Sequence, residues 1–304
     1  MTSITIFTYN KSQVENRIGE KQKRISLVIP TYNRKEVLLR NIRSLEEVKD
    51  DIEIVIVDDC SKDGTKEEIE KYMKNTDMKI KFIRNNENKG VTESVNIGIE
   101  KASYDFVFMV ADDTFITKPK ETIRILKMYK DKNFIIATRL IPSYHKEGII
   151  YFLYEAIAGC LAGEVLDYAG KSKRTVRYCN GILGFNRKTG VKFHSKGYMR
   201  NYPFRTESDL QINARKNGIK ILYYPEIEIL HEITDYGGLR IKNKKSITHI
   251  YIYNHIIFLR KNFRLTKYFK LPFFFLLSIM THPHLTFNII RTFDKAFKIE
   301  ISVN

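Results

Sequence analysis

The chain has no tryptophan and only three cysteines among its 304 residues. Cys60, Cys160 and Cys179 are too few and too widely spaced for a disulfide framework or a zinc pattern, and read as thiols of a reducing compartment. Glycine (15) and proline (7) are sparse, which excludes collagen-like and low-complexity architectures. The first seventeen residues have no basic start followed by an apolar stretch, so a secretory signal is not expected and the protein is expected to face the cytoplasm. No internal repeat is present. At 43% hydrophobic content the chain can bury a substantial core.

A further absence is local. Between Tyr236 and Phe293 there is no Asp or Glu, against ten Lys/Arg: Arg240, Lys242, Lys244, Lys245, Arg260, Lys261, Arg264, Lys267, Lys270 and Arg291. The whole chain carries 52 Lys+Arg against 35 Asp+Glu, a formal net charge of +17. Ten of the seventeen excess charges therefore fall in this stretch, and the chain before it has the balance of an ordinary soluble domain.

What is present is an alternation of short apolar runs and amphipathic segments. Residues 24–30 (RISLVIP) are continuously apolar and close on a proline, which predicts a strand covered on both faces. Residues 52–57 (IEIVIV), 80–84 and 106–110 (FVFMV) read as further strands. Residues 35–48, with Val37, Leu38, Ile42 and Leu45 at helical spacing, read as a helix, as do 65–73 and 91–102. Such alternation indicates βαβ units, a parallel sheet and an α/β domain. Beyond Pro142 the order is less regular. Residues 148–166 read as a helix, 178–186 as a strand with small residues at Gly181 and Gly184, 208–217 as a helix stopped by Gly218, and 219–224 as a strand stopped by Pro225. Residues 1–23 form a loose leader or an edge strand.

Polar clusters sit at the C-terminal ends of the predicted strands: Thr31-Tyr32-Asn33, Asp58-Asp59 and Asp112-Asp113. Open α/β sheets bind ligands at that edge. Two adjacent carboxylates repel, so Asp112-Asp113 fits a pair relieved by a divalent cation and a phosphate, or a pair that caps the following turn. An aspartate of Asp58-Asp59 can accept from a base imide or a ribose hydroxyl, or form an Asx-turn ahead of Ser61.

Taken together, Ile29-Pro-Thr-Tyr-Asn-Arg34, Val57-Asp-Asp-Cys-Ser-Lys-Asp-Gly-Thr65, Asn88-Lys-Gly90 with Asn96 and Gly98, and Val110-Ala-Asp-Asp-Thr114 resemble the ordered signature of family 2 glycosyltransferases. The run Thr206-Glu-Ser-Asp-Leu-Gln-Ile-Asn-Ala-Arg-Lys-Asn-Gly218, with Tyr224-Pro225 and His231, is similar to that family's acceptor-side segment. The resemblance covers residues 24–235; each motif alone is weak, and their order is specific.

The resemblance implies a GT-A fold: a Rossmann-like, mostly parallel sheet flanked by helices, with a nucleotide-binding half (24–118) and an acceptor half (119–235). It implies an inverting transfer from a nucleotide diphosphate sugar of UDP, GDP or dTDP type, assisted by Mn²⁺ or Mg²⁺. Pro30, Thr31, Tyr32 and Asn33 would line the nucleotide pocket, Asp59 or Asp58 would contact the base, and Asn88 and Gly90 would lie near ribose and diphosphate. Asp113 would be the main metal ligand, with Asp112 beside the donor sugar and His231 at the metal or diphosphate. Two departures stand out. The family's first aspartate of Asp-x-Asp falls on Ala111, and its Glu-Asp pair appears as Thr206-Glu207. Glu207 is therefore the candidate general base, with Asp209 as its rival. On a helix the two cannot share a face.

Residues 236–304 form a basic, apolar helical extension in which 253–261 resemble the tail of rhamnosyltransferase-like members. Residues 271–290 are an uncharged run of twenty, interrupted by Pro272, His282, Pro283, His284 and Asn288. A clean spanning helix needs about 20 mainly apolar residues. The extension is expected to lie in a membrane interface with its cations toward anionic head groups. Spanning helices, or packing on the catalytic domain or a second subunit, are the other readings. Many relatives use lipid-linked or membrane-proximal glycan acceptors. A free acceptor in solution, or an inactive nucleotide-sugar-binding scaffold, are the alternatives. A nucleic-acid partner is not expected, since no recognised motif is present and the tail is too apolar.

Overall fold

The computed structural model describes residues 24–142, 172–176, 178–179, 182–194, 196–199, 204–232, 244–263 and 266–299. Strand β1 (Ile25–Thr31) is followed by α1 (Lys35–Ser44), β2 (Ile52–Asp58), α2 (Thr65–Met73), β3 (Ile80–Arg84), α3 (Val91–Lys101) and β4 (Phe106–Met109). This half follows the predicted alternation, except that the helix expected over 35–48 ends at Ser44 and a 3-10 segment, Glu46–Asp51, leads into β2. β1, β2, β3 and β4 pair in parallel in the order β3-β2-β1-β4. β1, β2 and β4 are buried on both sides because helices cover both faces, while β3 at the sheet edge is partly exposed. Ile25, Leu27 and Ile29 of β1 join Leu38 and Ile42 of α1 on one face, while Val28 joins Val95 and Ile99 of α3 on the other.

The second half continues the sheet with mixed direction. It contains β5 (Thr114–Ile116), α4 (Pro119–Tyr129), β6 (Phe134–Pro142), β7 (Arg174–Val176), β8 (Leu183–Asn186), α5 (Thr206–Lys216) and β9 (Lys220–His231). The full order is β3-β2-β1-β4-β8-β6-β9-β5, with β7 also on β9. β8 runs antiparallel to β4 and β6, whereas β6 and β9 are parallel. The strand expected to stop at Pro225 instead runs on to His231. The β6–β9 register shifts there, pairing Thr138 with Tyr224 and Arg139 with Glu228. Pro225 thus falls in a bulge, where the missing N–H costs no ladder bond. Of the strand expected over 178–186, Leu183–Asn186 is strand among the described residues. The helix expected over 148–166 and the leader 1–23 lie outside the described residues.

The C-terminal extension forms α6 (Lys244–Asn262), α7 (Lys267–Thr281) and α8 (Thr286–Phe297). Their apolar side chains build a third core, in which Ile252, Ile256, Phe258 and Leu259 of α6 and Ile289 and Phe293 of α8 meet Tyr198 and Ile212. The uncharged run is two helices rather than one, bent by 107° at Pro283. Among the described residues no single helix is long and apolar enough to cross a membrane.

Gly98 sets the spacing between α3 and the sheet. A Cβ placed there would lie 2.3 Å from Cγ1 of Val28 and 3.2 Å from Cγ2 of Val57. The helix can lie this close only without a side chain. Gly98→Ala should therefore destabilise the fold by about 1–3 kcal/mol, the cost of overpacking a filled core. Urea denaturation followed by circular dichroism measures this; an unchanged midpoint would show that α3 can withdraw from the strands at no cost.

Candidate functional site

β1, β2 and β4 end side by side, and the loops beyond them are tied together by polar contacts. Beyond β1, Asn33 adopts a left-handed conformation (φ +52°), which asparagine tolerates better than most residues. Its N–H donates to Ser61 Oγ at 2.8 Å, and its Oδ1 accepts from Lys62 N at 2.7 Å. The Asp59 N–H donates to the Thr31 carbonyl at 2.9 Å. Pro30, Tyr32 and Asn33 are partly exposed along this edge.

Asp58 and Asp59 are both buried, and both carboxylates are engaged. Asp58 accepts from Ser61 N (3.0 Å) and from the Arg84 guanidinium. Asp59 Oδ1 accepts from Asn85 Nδ2 and Lys89 N, each at 2.8 Å, and its Oδ2 from Gly90 N at 2.8 Å. Asp59 thus sets the path of the Asn88–Lys89–Gly90 loop that opens α3. Gly90 has φ +86° and ψ +159°, a region essentially restricted to glycine.

The turn after β4 carries Asp112 and Asp113, each only 4% exposed. Arg34 Nη1 bridges them, at 2.6 Å from Asp112 Oδ1 and 2.8 Å from Asp113 Oδ2. Thr31 Oγ1 donates to Asp112 Oδ2 at 2.9 Å. Burial raises the Asp112 carboxyl to about 6, with Arg34 pulling it down and Asp113 pushing it up. Removing one partner of a buried ion pair costs about 3–5 kcal/mol, so the guanidinium is what allows two adjacent carboxylates here. Asn41, fully buried on α1, donates to the carbonyls of Ala111 (3.0 Å) and Thr114 (2.7 Å) and holds the turn from beneath.

His231, at the end of β9, pairs in register with Thr114. Its Nε2 lies 3.5 Å from Asp113 Oδ2. Two ligands of one ion, each about 2.1 Å from it, sit roughly 3–3.5 Å apart at right-angled or tetrahedral geometry. A carboxylate oxygen and an imidazole nitrogen at this spacing therefore fit a divalent cation. Among the described residues no group of three or more His, Cys, Asp or Glu gathers at one point, so further ligands would have to come from a bound molecule.

The two candidate bases lie in the first turn of α5 and face different surroundings. Asp209 is buried and taken up by α6: Oδ2 meets Lys261 Nζ at 2.8 Å and Oδ1 meets Asn262 Nδ2 at 2.6 Å. Glu207 is half-buried, and among the described residues no other side chain bonds to its carboxylate. Burial raises its pKa, against the pull of its own amide and of Arg205. Gln211, one turn on, ties α5 to the Cys179 backbone by accepting from its N–H (3.0 Å) and donating to its carbonyl.

Three residues of this region were not singled out in the sequence: Arg34, Asn41 and Arg205. Arg34 stands inside the motif that ends β1, and a cation at the same sheet edge as two adjacent aspartates is a readable signal. Asn41 and Arg205 act across 70 and 50 residues respectively, which spacing along one chain does not reveal.

The model of the family described as glycosyl transferase family 2 matches residues 26–189. The abequosyltransferase RfbV of Salmonella typhimurium is 36% identical over 110 residues, 35% of this chain and 32% of that protein. The GalNAc(5)-diNAcBac-PP-undecaprenol beta-1,3-glucosyltransferase of Campylobacter jejuni is 33% identical over 91 residues, 30% of this chain and 29% of its own. The match thus spans about a third of each of these relatives. The mannosyltransferase PcManGT of Pyrobaculum calidifontis, solved with GDP-Man and Mn²⁺, superposes with a TM-score of 0.58 at 14% identity, over 92% of this chain and 76% of its own. That likeness establishes the GT-A fold. The chain belongs to glycosyl transferase family 2.

Proposed function

We propose that this glycosyltransferase moves a sugar from a nucleoside diphosphate to an acceptor hydroxyl in a single displacement that inverts the anomeric centre, with Glu207 as general base. One observation carries the assignment. Asp58, Asp59, Asp112, Asp113 and Asp209 are each engaged by cations or N–H donors, whereas the Glu207 carboxylate has no other side chain bonded to it among the described residues. In the step, Glu207 takes the acceptor proton as the acceptor oxygen bonds to the anomeric carbon. The bond from that carbon to the diphosphate breaks with its electron pair on the leaving oxygen. A raised pKa brings the carboxylate nearer to the operating pH, as a general base requires.

The nucleotide side lies along Pro30, Thr31, Tyr32, Asn33, Asp58, Asp59, Asn88, Gly90 and Asp112, at the strand ends. Asp113 and His231 would hold Mn²⁺ or Mg²⁺. Bound there, the ion supplies charge neutralisation for the departing diphosphate. Arg34 adds a second cation beside it. PcManGT binds GDP-Man with Mn²⁺, which supports a donor of the nucleoside diphosphate class.

The acceptor is a lipid-linked or membrane-proximal glycan, and the enzyme works peripherally at the cytoplasmic face of a membrane. The Campylobacter relative is named for an undecaprenol-linked substrate. In this chain, α7 and α8 expose Tyr268, Phe269, Leu276, Met280, Phe287 and Ile290, interspersed with Lys267 and Arg291. Apolar side chains among cations suit an anionic bilayer surface better than water. Residues 24–235 form the transferase domain, and 236–304 its membrane-seated extension.

Glu207→Gln should lower turnover by about 10²–10⁴-fold, the range of a lost general base, with donor binding retained. Because the folded pKa is raised, the folded state holds more protons than the unfolded one between the two pKa values. Stability is then lost as pH rises through that window. The Gln variant lacks this loss, so its Tm advantage over wild type should be larger at pH 7.5 than at pH 4. Full turnover in this variant, measured as nucleoside diphosphate release, would remove Glu207 from the mechanism.

Thermal-shift screening against UDP-, GDP- and dTDP-sugars, with and without Mn²⁺, tests the donor side, since a ligand binding only the folded form raises Tm. The correct donor should give its full shift only with the metal, and Asp113→Ala and His231→Ala should each reduce the metal-dependent part. A shift independent of metal in wild type would place the diphosphate elsewhere.

Sedimentation with vesicles tests the surface. Binding to phosphatidylglycerol vesicles but not to phosphatidylcholine, weakened by salt and by Phe287→Asp with Met280→Asp, is expected. Concentration-dependent dimerisation without vesicle binding would assign this face to a second copy of the chain.

A further inference from the structure

Arg205 is a non-glycine residue in the left-handed region, with φ +79° and ψ −2°, directly before α5. This conformation costs about 1–2 kcal/mol, and it persists only where the surroundings over-determine it. Among the described residues those surroundings come from α6. Arg205 Nε donates to His255 Nδ1 at 3.1 Å, and Nη2 to the Tyr251 hydroxyl at 2.9 Å. The guanidinium lies 5.6 Å from the centre of the Tyr251 ring and 5.8 Å from that of Phe258. Tyr251 and His255 are one turn apart and so share a face of α6, with their rings within 9° of parallel. His255 is fully buried. Accepting at Nδ1 leaves its proton on Nε2, the neutral tautomer.

The Arg205 carbonyl accepts from Asp209 N at 2.9 Å, closing the first turn of α5. The placement of Arg205 therefore fixes where α5 begins and how it is rotated. Glu207 is two residues further on. Its orientation is set by the same turn.

We propose that Arg205, clamped from α6 by Tyr251 and His255, is the positioning residue for Glu207, so that the C-terminal extension completes the catalytic unit as well as seating it. This rests on the reading of Glu207 as general base. Among the described residues, the groups that act on Glu207 are Arg205 and Tyr198, while Tyr251 and His255 on α6 reach Arg205 and Lys261 reaches Asp209. Lys261 is paired with Asp209, and His255 and Tyr251 bind Arg205 as neutral acceptors. The positive charge that acts on Glu207 is therefore that of Arg205. Loosening the clamp both misplaces the base and weakens the pull that keeps it ionised.

The test uses the full chain carrying Tyr251→Phe, His255→Leu, His255→Gln or Glu207→Gln. UDP-N-acetylglucosamine, GDP-mannose and dTDP-rhamnose serve as donors, with water as acceptor and nucleoside diphosphate release as readout. Tyr251→Phe keeps the ring and its packing, so it isolates the hydroxyl. Tyr251→Phe and His255→Leu should each lower kcat about tenfold, within the range of a misplaced catalytic group. Donor KM should stay within about twofold, and the acid limb of the pH profile should move to higher pH. His255→Gln retains an acceptor and should recover most of the loss. An unchanged kcat and acid limb in Tyr251→Phe and His255→Leu overturns the proposal, as does a fall in kcat with an unmoved acid limb and no recovery in His255→Gln. If Glu207→Gln alone retains full turnover, the base assignment fails first and the clamp proposal with it. If Glu207→Gln is inactive while the α6 variants match wild type, only the clamp is wrong.

Discussion

Two adjacent carboxylates buried at the end of β4 are the constraint around which the rest of the site is arranged. Asp112 and Asp113 are almost without solvent, and like charges so placed oppose each other's ionisation. Arg34 reaches across from the loop after β1 with one nitrogen between them. That bridge requires β1 and β4 to be neighbours, which their parallel pairing provides. It also requires a fixed backbone turn, which Asn41 holds through the Ala111 and Thr114 carbonyls. The bridge, the turn and the strand order are therefore one solution to one electrostatic problem. A phosphate-bearing ligand arriving here meets a site whose charges are already balanced to within a single group.

The same arrangement gives a physical account of Ala111. Where the family pattern has a first aspartate, a third carboxylate would add a further like charge to a pair that already draws on Arg34. With alanine, the position contributes only its carbonyl, and that carbonyl is bonded to Asn41. The acidic element is thus compact. Its reach toward His231 comes from β9, whose end is placed beside Thr114 by antiparallel pairing with β5.

The sequence was most legible where one physical signal dominated. β1, β2 and β4 are continuous apolar runs because both faces are covered, and their boundaries were read within a residue or so. β9 was cut short at Pro225 because proline ordinarily ends a strand. The bulge that accommodates it is a property of the pairing with β6, which no local window contains. Over 114–142, where β5, α4 and β6 fall, the periodicity yields no element, although α4 opens on Pro119 at its first turn, a usable start signal. At the site, the aspartates were legible because they cluster at strand ends. Most of the partners that decide what each aspartate can do are not legible, since Asn85, Asn262 and Lys261 are brought in by the fold.

The two acidic residues at the start of α5 show how far such partners govern chemistry. Glu207 and Asp209 are equivalent by charge and nearly so by sequence position, and both would gain from the helix N-terminus. Two residues along a helix is a rotation of about 200°, so they look in opposite directions. Asp209 looks toward α6 and is consumed by Lys261 and Asn262 as a structural anchor. Glu207 looks away and keeps a desolvated carboxylate that no other described side chain bonds. The anchor and the proposed base are therefore joined by a single helical turn, whose first residue is the strained Arg205 held by α6. A helical extension that reads in the sequence as a basic, apolar appendage is, in the folded chain, attached to the first turn of α5, through Arg205 and Asp209 on either side of Glu207.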